Sequence, residues 1–293
     1  MSTSEELKQI VKEKYAEIAL QEVGLNAASC CGATDASKEV YNIMTDDYSE
    51  LDGYSPDADL ALGCGLPTQF AQINKGDTVI DLGSGAGNDC FVARHETGES
   101  GKVIGIDFTE PMIEKARINA DKLGFNNVEF RYGDIENMPV SDSHADVIVS
   151  NCVLNLVPDK KSVIDDIFRV LKPGGHFSIS DIVLVGDLPT TLQQDAEMYA
   201  GCVSGAIQKD DYLGFIHEAG FRHVTIQKEK PIVIPDDILS KYLDRKGMEE
   251  FKSGTTGIFS VTVYAEKPGG KPKKPKVRLS ELQEACTPGS GCC

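Results

Sequence analysis

The hydrophobic pattern alternates between two periodicities from residue 77 to residue 183. Short apolar runs, many of them β-branched, predict strands at 79–82, 103–107, 128–132, 145–149 and 177–183. Amphipathic helical patterns separate these runs. Strands that alternate with helices form parallel sheets with crossover helices, so the pattern predicts a doubly wound, mostly parallel α/β fold. Ligands of such folds bind at the carboxyl ends of the strands.

The pattern differs on either side of this region and divides the chain into four parts. They are an N-terminal helix with a cysteine-containing loop at 1–60, the ligand-binding domain at 61–183, an α+β cap at 184–266, and a Lys/Pro-rich linker with a cysteine tail at 267–293. Within the cap, strands are predicted at 224–226 and 258–263, with a helix near 236–251 between them.

A glycine-rich turn follows the first predicted strand, in the stretch Asp81-Leu-Gly-Ser-Gly-Ala-Gly-Asn-Asp89. Glycines let a ligand lie against bare backbone. The spacing is G-x-G-x-G, and Asn88 stands where pyrophosphate-binding loops have a third glycine. Asp81 and Asp89 flank the turn and suit a cofactor that carries positive charge, such as S-adenosylmethionine. The turn also resembles motif I of class I S-adenosylmethionine methyltransferases, and it favours that cofactor over NAD.

Further acids follow the next strands. Asp107 lies 20 residues beyond Gly87, a position from which a carboxylate reaches ribose hydroxyls. Asp134 follows the third strand and Cys152 follows the fourth. Because the carboxyl ends of parallel strands share one edge, we expect Asp81, Asp107, Asp134 and Cys152 to converge there.

Charge and composition exclude several classes of function. The 293 residues have a formal net charge of −17, which argues against nucleic acid as a partner. No apolar run reaches the roughly 18–20 residues that span a membrane. The N-terminus lacks the features of a signal peptide, so the sequence predicts a cytoplasmic protein without a membrane partner.

The nine cysteines need a chemical explanation. A reducing compartment disfavours a disulfide framework, and no C-x2-4-C pair indicates a zinc site. Cys90 fits a buried helix position. Cys64 lies between two glycines, which predicts an exposed thiol on compliant backbone. Cys152 and the glycine-flanked Cys202 are predicted to face the same edge, so three chain regions direct sulfur to one point.

The cysteine-centred blocks resemble those of arsenite S-adenosylmethionine methyltransferases. The matching stretches are Val11-Lys-Glu-Lys-Tyr-Ala16, Leu62-Gly-Cys-Gly-Leu-Pro-Thr68, Ser150-Asn-Cys-Val-Leu-Asn-Leu156 and Tyr199-Ala-Gly-Cys-Val-Ser-Gly-Ala206, together with the glycine turn. The resemblance covers nearly the whole chain and implies a Rossmann-like methyltransferase sheet. It also implies that Cys64, Cys152 and Cys202 bind arsenic and that Cys30 or Cys31 joins a disulfide relay.

The predicted reaction is methyl transfer from S-adenosylmethionine to thiolate-bound arsenite or monomethylarsenite, with a thiol reductant such as thioredoxin or glutathione. The predicted cofactor residues are Asp81, Gly83, Ser84, Gly85, Gly87, Asp107, Phe108, Met112, Asp134, Ile135 and Asn151. Two alternatives stay open: a methyltransferase for a small organic acceptor, and a metalloid-binding protein without catalysis.

Overall fold

A computed structural model describes residues 4–20, 46–186, 205–232, 243–253 and 257–269, together with residues 236, 239 and 240. Within these ranges seven strands form one sheet in the order β3-β2-β1-β4-β5-β7-β6. The strands are β1 (Thr78–Leu82), β2 (Lys102–Asp107), β3 (Val128–Tyr132), β4 (Ala145–Asn151), β5 (Leu171–Val185), β6 (Arg222–Ile232) and β7 (Gly257–Glu266).

Helices cover both faces of the sheet. The helices are α1 (Ser4–Leu20), α2 (Pro67–Phe70), α3 (Asn88–Thr97), α4 (Glu110–Leu123), α5 (Lys160–Val170), α6 (Lys209–Glu218) and α7 (Arg245–Ser253), with 3-10 turns at Ile135–Asn137 and Leu154–Leu156. Ile80 packs in a core with α5 and α6, whereas its neighbour Val79 packs with α3 and α4. Adjacent strand residues point to opposite faces, so both faces are buried.

The strand order confirms the predicted doubly wound, mostly parallel sheet. β1 pairs in parallel with both β2 and β4, and β7 is antiparallel to β5. The chain runs outward from β1 to β3 on one side and from β4 to β5 on the other. The switch point therefore lies between β1 and β4, where a ligand is expected.

The last three strands are longer than predicted. β5 begins at Leu171, next to the end of α5, and pairs there with Ala145 of β4. The Lys-Pro-Gly-Gly sequence at 172–175 is typical of a helix end, and it interrupts the ladder: β4 pairs with Leu171 and next with His176, and Gly174 has a φ of 79°. β6 and β7 extend the same sheet, and ten paired positions join β7 to β5. Of the helix predicted near 236–251, α7 covers the last part.

No helix in the described ranges combines the length and the apolar composition needed to cross a bilayer. Val11 and Ile18 of α1 are buried, and α1 packs along α4 at the carboxyl edge of the sheet. Lys115 Nζ on α4 donates to Ala19 O at 3.1 Å, which ties the end of α1 to the body.

Candidate active site

The glycine turn after β1 is packed on one side and open on the other. Gly83 and Gly85 have φ values of 66° and 50°, in the left-handed region that favours glycine. The N–H groups of Gly83 and Ser84 both donate to Ile106 O, at 2.8 and 3.0 Å. A Cβ atom on Gly83 would lie 2.4 Å from Val153 Cγ2, whereas nothing lies within 4 Å of that position on Gly85. The open side can therefore accept a ligand.

A cavity of about 350 Å³, including its open mouth, lies beside this turn. Five of the predicted cofactor residues line it: Gly83, Asp107, Phe108, Asp134 and Ile135. Lys8, Val153, Leu156 and Val157 complete the lining.

Asp107 presents a fixed carboxylate to the cavity. Its Oδ2 accepts from Gly85 N at 3.0 Å, and its Oδ1 accepts from Thr109 N at 2.8 Å. Burial raises the pKa of Asp107, and the hydrogen bonds from the backbone of Thr109 and Gly85 oppose this rise. Both oxygens are oriented by backbone, so the side chain is held ready to accept hydrogen bonds from ligand hydroxyl groups.

Asp81 and Asp89 form a buried acidic pair beside the turn. Cys90 Sγ donates to Asp81 Oδ2 at 3.3 Å, and Tyr48 OH donates to Asp89 Oδ2 at 2.8 Å. Burial raises the pKa of Asp89 to about 6, and burial followed by the charge of Asp89 raises that of Asp81. Such a pair is stabilised in its charged form by a cation, which fits a ligand that carries ammonium and sulfonium groups.

Lys8 of α1 covers part of the cavity. Its Nζ lies 2.6 Å from Asp134 Oδ2 and also pairs with Glu136. Burial lowers the pKa of Lys8, but the hydrogen bonds to Asp134 and Glu136 outweigh this effect and raise it. The N-terminal helix thus contributes a side chain to the wall of the cavity.

Cys64 and Cys152 come together in one apolar cluster. Cys64 is fully buried and Cys152 is 7% exposed, and both pack in a cluster that includes Leu156 and Ile182. The expectation of an exposed Cys64 thiol is therefore wrong. Cys152 has a φ of 61°, which is uncommon for a non-glycine residue, and its N–H donates to Ser180 O at 2.8 Å. Strain of this kind is often found at functional sites.

Asn151 directs its side chain toward the segment that carries Cys64. Its Oδ1 accepts from Cys64 N at 3.0 Å, and its Nδ2 donates to Gly65 O at 2.8 Å. The same Nδ2 lies 2.5 Å from Tyr48 OH. These contacts place the amide between the thiol loop and the Tyr48–Asp89 pair.

A buried carboxyl and a buried phenol lie close to the thiols. Asp181 on β5 and Tyr212 on α6 are both buried, and neither Asp181 Oδ2 nor Tyr212 OH has a hydrogen-bond partner in the described residues. Burial raises the pKa of Asp181 to about 7. Burial also raises that of Tyr212, and the charges of Asp181, Cys64 and Cys152 add to this effect.

The remaining predicted site residues have different locations. Ser84 is buried with its Oγ unpartnered among the described residues, Gly87 is the N-cap residue before α3, and Met112 is buried in the first turn of α4. Cys90 is buried as predicted. Cys30, Cys31 and Cys202 lie outside the described residues. Within those residues no group of three His, Cys, Asp or Glu side chains is arranged to hold a metal ion.

Several residues of the site were not predicted from the sequence, and most of them carry no sequence motif. Tyr48 and Lys8 lie far from the glycine turn in sequence, and no motif marks them. Val153 lies inside the Ser150–Leu156 block. Asp181 did carry a signal, because a charged residue within an apolar strand pattern indicates a buried polar group.

Comparisons with known proteins match this chain to methyltransferases. A family model described as a methyltransferase domain matches residues 73–220. An arsenite methyltransferase of Halobacterium salinarum is 42% identical over 276 residues, which are 90% of this chain and 67% of that protein. One of Aquipseudomonas alcaligenes is 33% identical over 86% of this chain and 71% of that protein.

Among solved structures, CrArsM, an arsenic(III) S-adenosylmethionine methyltransferase from Chlamydomonas reinhardtii, matches with a TM-score of 0.60. The two chains are 32% identical, and the match covers 72% of this chain and 70% of that chain. The chain belongs to the arsenite methyltransferase family and has the class I S-adenosylmethionine methyltransferase fold.

Proposed function

We propose that this protein binds trivalent arsenic through the thiols of Cys64, Cys152 and Cys202 and methylates it. The observation that carries the proposal is the shared wall between the cavity and the thiol cluster. Leu156 lines the cavity and also packs in the cluster that contains Cys64 and Cys152. Val153, the residue after Cys152, lines the same cavity and packs on Gly83. A cofactor in the cavity would therefore adjoin the thiols.

The residues that line the cavity suit S-adenosylmethionine, which would supply a methyl group on a sulfonium centre when bound. Asp107 would accept hydrogen bonds from the ribose hydroxyls. The apolar side chains of Phe108 and Ile135 line the cavity and would contact the adenine ring. Asp81 and Asp89 would supply negative charge near the cationic end, and the open side of Gly85 would admit the ligand to the backbone.

An apolar thiol cluster suits arsenite because the bound product is neutral. Each thiol that replaces a hydroxyl group on arsenic forms an As–S bond, and the displaced hydroxyl leaves as water with the thiol proton. Trivalent arsenic is soft and prefers sulfur ligands. Burial of Cys64 and Cys152 therefore does not leave an uncompensated charge in the protein.

The protein contributes mainly through the position of the reactants. The thiols would hold arsenic about 3–3.5 Å from the methyl carbon, where its lone pair could form the As–C bond as the C–S bond of the sulfonium breaks and S-adenosylhomocysteine leaves. Methyl transfer oxidises arsenic from As(III) to As(V). Two thiolates return two electrons and form a disulfide, and we assign Cys30 or Cys31 to this relay. Thioredoxin or glutathione in the cytoplasm would reduce the disulfide for a second round on monomethylarsenite.

Three cysteine variants test the proposal. Purified protein is incubated with S-adenosylmethionine, a dithiol and either arsenite or monomethylarsenite, and the methylated products are separated and quantified. Cys152→Ser and Cys202→Ser should lose turnover of both substrates by roughly 100-fold or more, because both substrates need these thiols. Cys64→Ser should lose arsenite turnover but keep most turnover of monomethylarsenite, which has only two exchangeable ligands.

The buried Cys90 provides the control for loss of a thiol outside the cluster, since a serine hydroxyl in Cys90→Ser can still donate to Asp81. Arsenite turnover at the wild-type rate in the three variants would contradict the proposal. If the protein still methylates an organic acceptor after its thiols are alkylated, a methyltransferase for a small organic acceptor is favoured. Arsenite binding without any methylated product would favour a carrier.

A further inference from the structure

Asn151 is the residue that joins the two thiol segments. It ends β4, and Cys152 follows it directly in the chain. Its side-chain amide contacts the backbone on both sides of the Cys64 side chain, through Cys64 N at 3.0 Å and Gly65 O at 2.8 Å. A primary amide that both accepts and donates in this way fixes position and orientation together.

The loop can approach Asn151 closely only because residue 63 is glycine. Gly63 has a φ of 116°, and a Cβ atom there would lie 2.7 Å from Asn151 Nδ2. On the other side, a Cβ atom on Gly65 would lie 2.5 Å from Ser180 Oγ. The two glycines around Cys64 therefore serve close packing, and the loop is held between Asn151 and β5.

Hydrogen bonds to β5 also hold Asn151 and Cys152 in place. Asn151 pairs with Ser180 in the β4–β5 ladder, and Cys152 N donates to Ser180 O at 2.8 Å. Asn151 therefore lies on a strand of the central sheet, and its hydrogen bonds to Cys64 N and Gly65 O hold the Cys64 loop against that strand. Tyr48 OH contacts Asn151 Nδ2 at 2.5 Å and donates to Asp89 Oδ2 at 2.8 Å, which orients the amide.

We infer that Asn151 is a positioning residue that sets the separation of the Cys64 and Cys152 thiols and so permits three-sulfur binding of arsenite. This inference rests on the proposed function, because it assumes that both thiols bind arsenic. Monomethylarsenite needs only two thiols, which Cys152 and Cys202 would supply. Loss of Asn151 should therefore affect arsenite selectively.

The first test measures binding without cofactor or turnover. X-ray absorption spectroscopy on arsenite bound to the full-length protein should give three As–S bonds for the wild type and two for Asn151→Ala. Asn127→Ala is the matched control, because Asn127 Nδ2 also donates to two backbone carbonyls, Gly98 O at 3.0 Å and Gly101 O at 2.9 Å, away from the thiols. This control should keep three As–S bonds.

The second test separates positioning from cofactor binding. Two lost hydrogen bonds of ordinary strength should lower arsenite turnover by roughly 10-fold or more in Asn151→Ala. Asn151 was predicted as a cofactor residue but is not among the residues that line the cavity, so turnover of monomethylarsenite and the KM for S-adenosylmethionine should stay within about twofold of wild type. Adding Asn151→Ala to Cys64→Ser should cause no further loss of monomethylarsenite turnover, since Asn151 acts through Cys64.

Asn151→Asp provides a second variant that keeps the side-chain size and the acceptor for Cys64 N but loses both donors. It should show the same selective loss. Three As–S bonds in both variants, an equal loss on both arsenicals, or a raised KM for S-adenosylmethionine alone would overturn the inference. If the wild type binds arsenite with three sulfurs but forms no methylated product, the proposed function fails while the inference about Asn151 holds.

Discussion

Asp181 offers a quantitative test of the buried site, because its carboxyl group is buried with too few hydrogen bonds and charges nearby to stabilise its ionised form. It lies on β5 and is fully buried. Its Oδ1 accepts from Ile182 N at 2.9 Å, and its Oδ2 has no hydrogen-bond partner in the described part of the chain. Burial raises its pKa from an ordinary 3.8 to about 7, and the charge of Lys160 offsets only part of this rise.

The raised pKa makes the stability of the protein depend on pH. Below pH 4 the carboxyl is protonated in both the folded and the unfolded state. Between pH 4 and 7 the folded state holds the proton while the unfolded state releases it, so stability falls as pH rises. Above pH 7 both states are ionised and the full cost remains, ~4 kcal/mol from the pKa difference.

Asp181→Asn should remove this cost because the amide carries no charge. We expect the free energy of unfolding to rise by ~2–4 kcal/mol at pH 8, allowing for one amide donor without a partner, and to change little at pH 4. Urea unfolding of both proteins at the two pH values measures the difference. Asp121→Asn, on the exposed face of α4, is the control and should change stability by less than about 1 kcal/mol at either pH. An equal effect of Asp181→Asn at both pH values would refute the reasoning.

Two further predictions concern glycines. Gly83→Ala should lower the free energy of unfolding by ~2–4 kcal/mol, because the new Cβ would meet Val153 and φ is positive. Gly85→Ala should lower the free energy of unfolding by only ~1–2 kcal/mol, because nothing lies within 4 Å of its new Cβ. It should nevertheless weaken S-adenosylmethionine binding by roughly 10-fold or more. Urea unfolding and titration calorimetry distinguish these outcomes, and comparable effects of both variants on stability would contradict the packing argument. Gly214→Ala should raise the free energy of unfolding by ~0.5–1 kcal/mol, since Gly214 lies inside α6 with nothing within 4 Å of its added Cβ. Urea unfolding measures this change, and a loss of stability would contradict the prediction.

The sequence predicted the parts of the fold that local pattern encodes. The third strand, Val128–Tyr132, has the predicted bounds, and β2 differs only by one residue at its start. Short apolar runs determine where buried strands lie, because burial on both faces requires apolar residues at consecutive positions. The glycine turn and Asp107 were found for a similar reason, since each follows a strand at a fixed place in this fold.

Longer-range pairing decided the bounds of the other strands. β6 is an edge strand with many polar residues, so its sequence has a weak strand pattern, and its length follows from its antiparallel pairing with β7. β5 includes Pro173 and Gly174 as an irregular segment, because β4 pairs with Leu171 before it and with His176 after it. The positive φ of Gly174 shows that the local preference for a turn persists within the strand.

The sequence by itself determined the fold class, the edge at which ligands bind and the family of the chain, because local periodicity and short motifs carry that information. Only the tertiary structure decided that Cys64 is buried, that Lys8 lines the cavity and that Asn151 contacts the Cys64 loop. Asn151 is 87 residues from Cys64 and 103 residues from Tyr48 in sequence. Contacts over such separations depend on the path of the whole chain, and no local pattern of side chains records them.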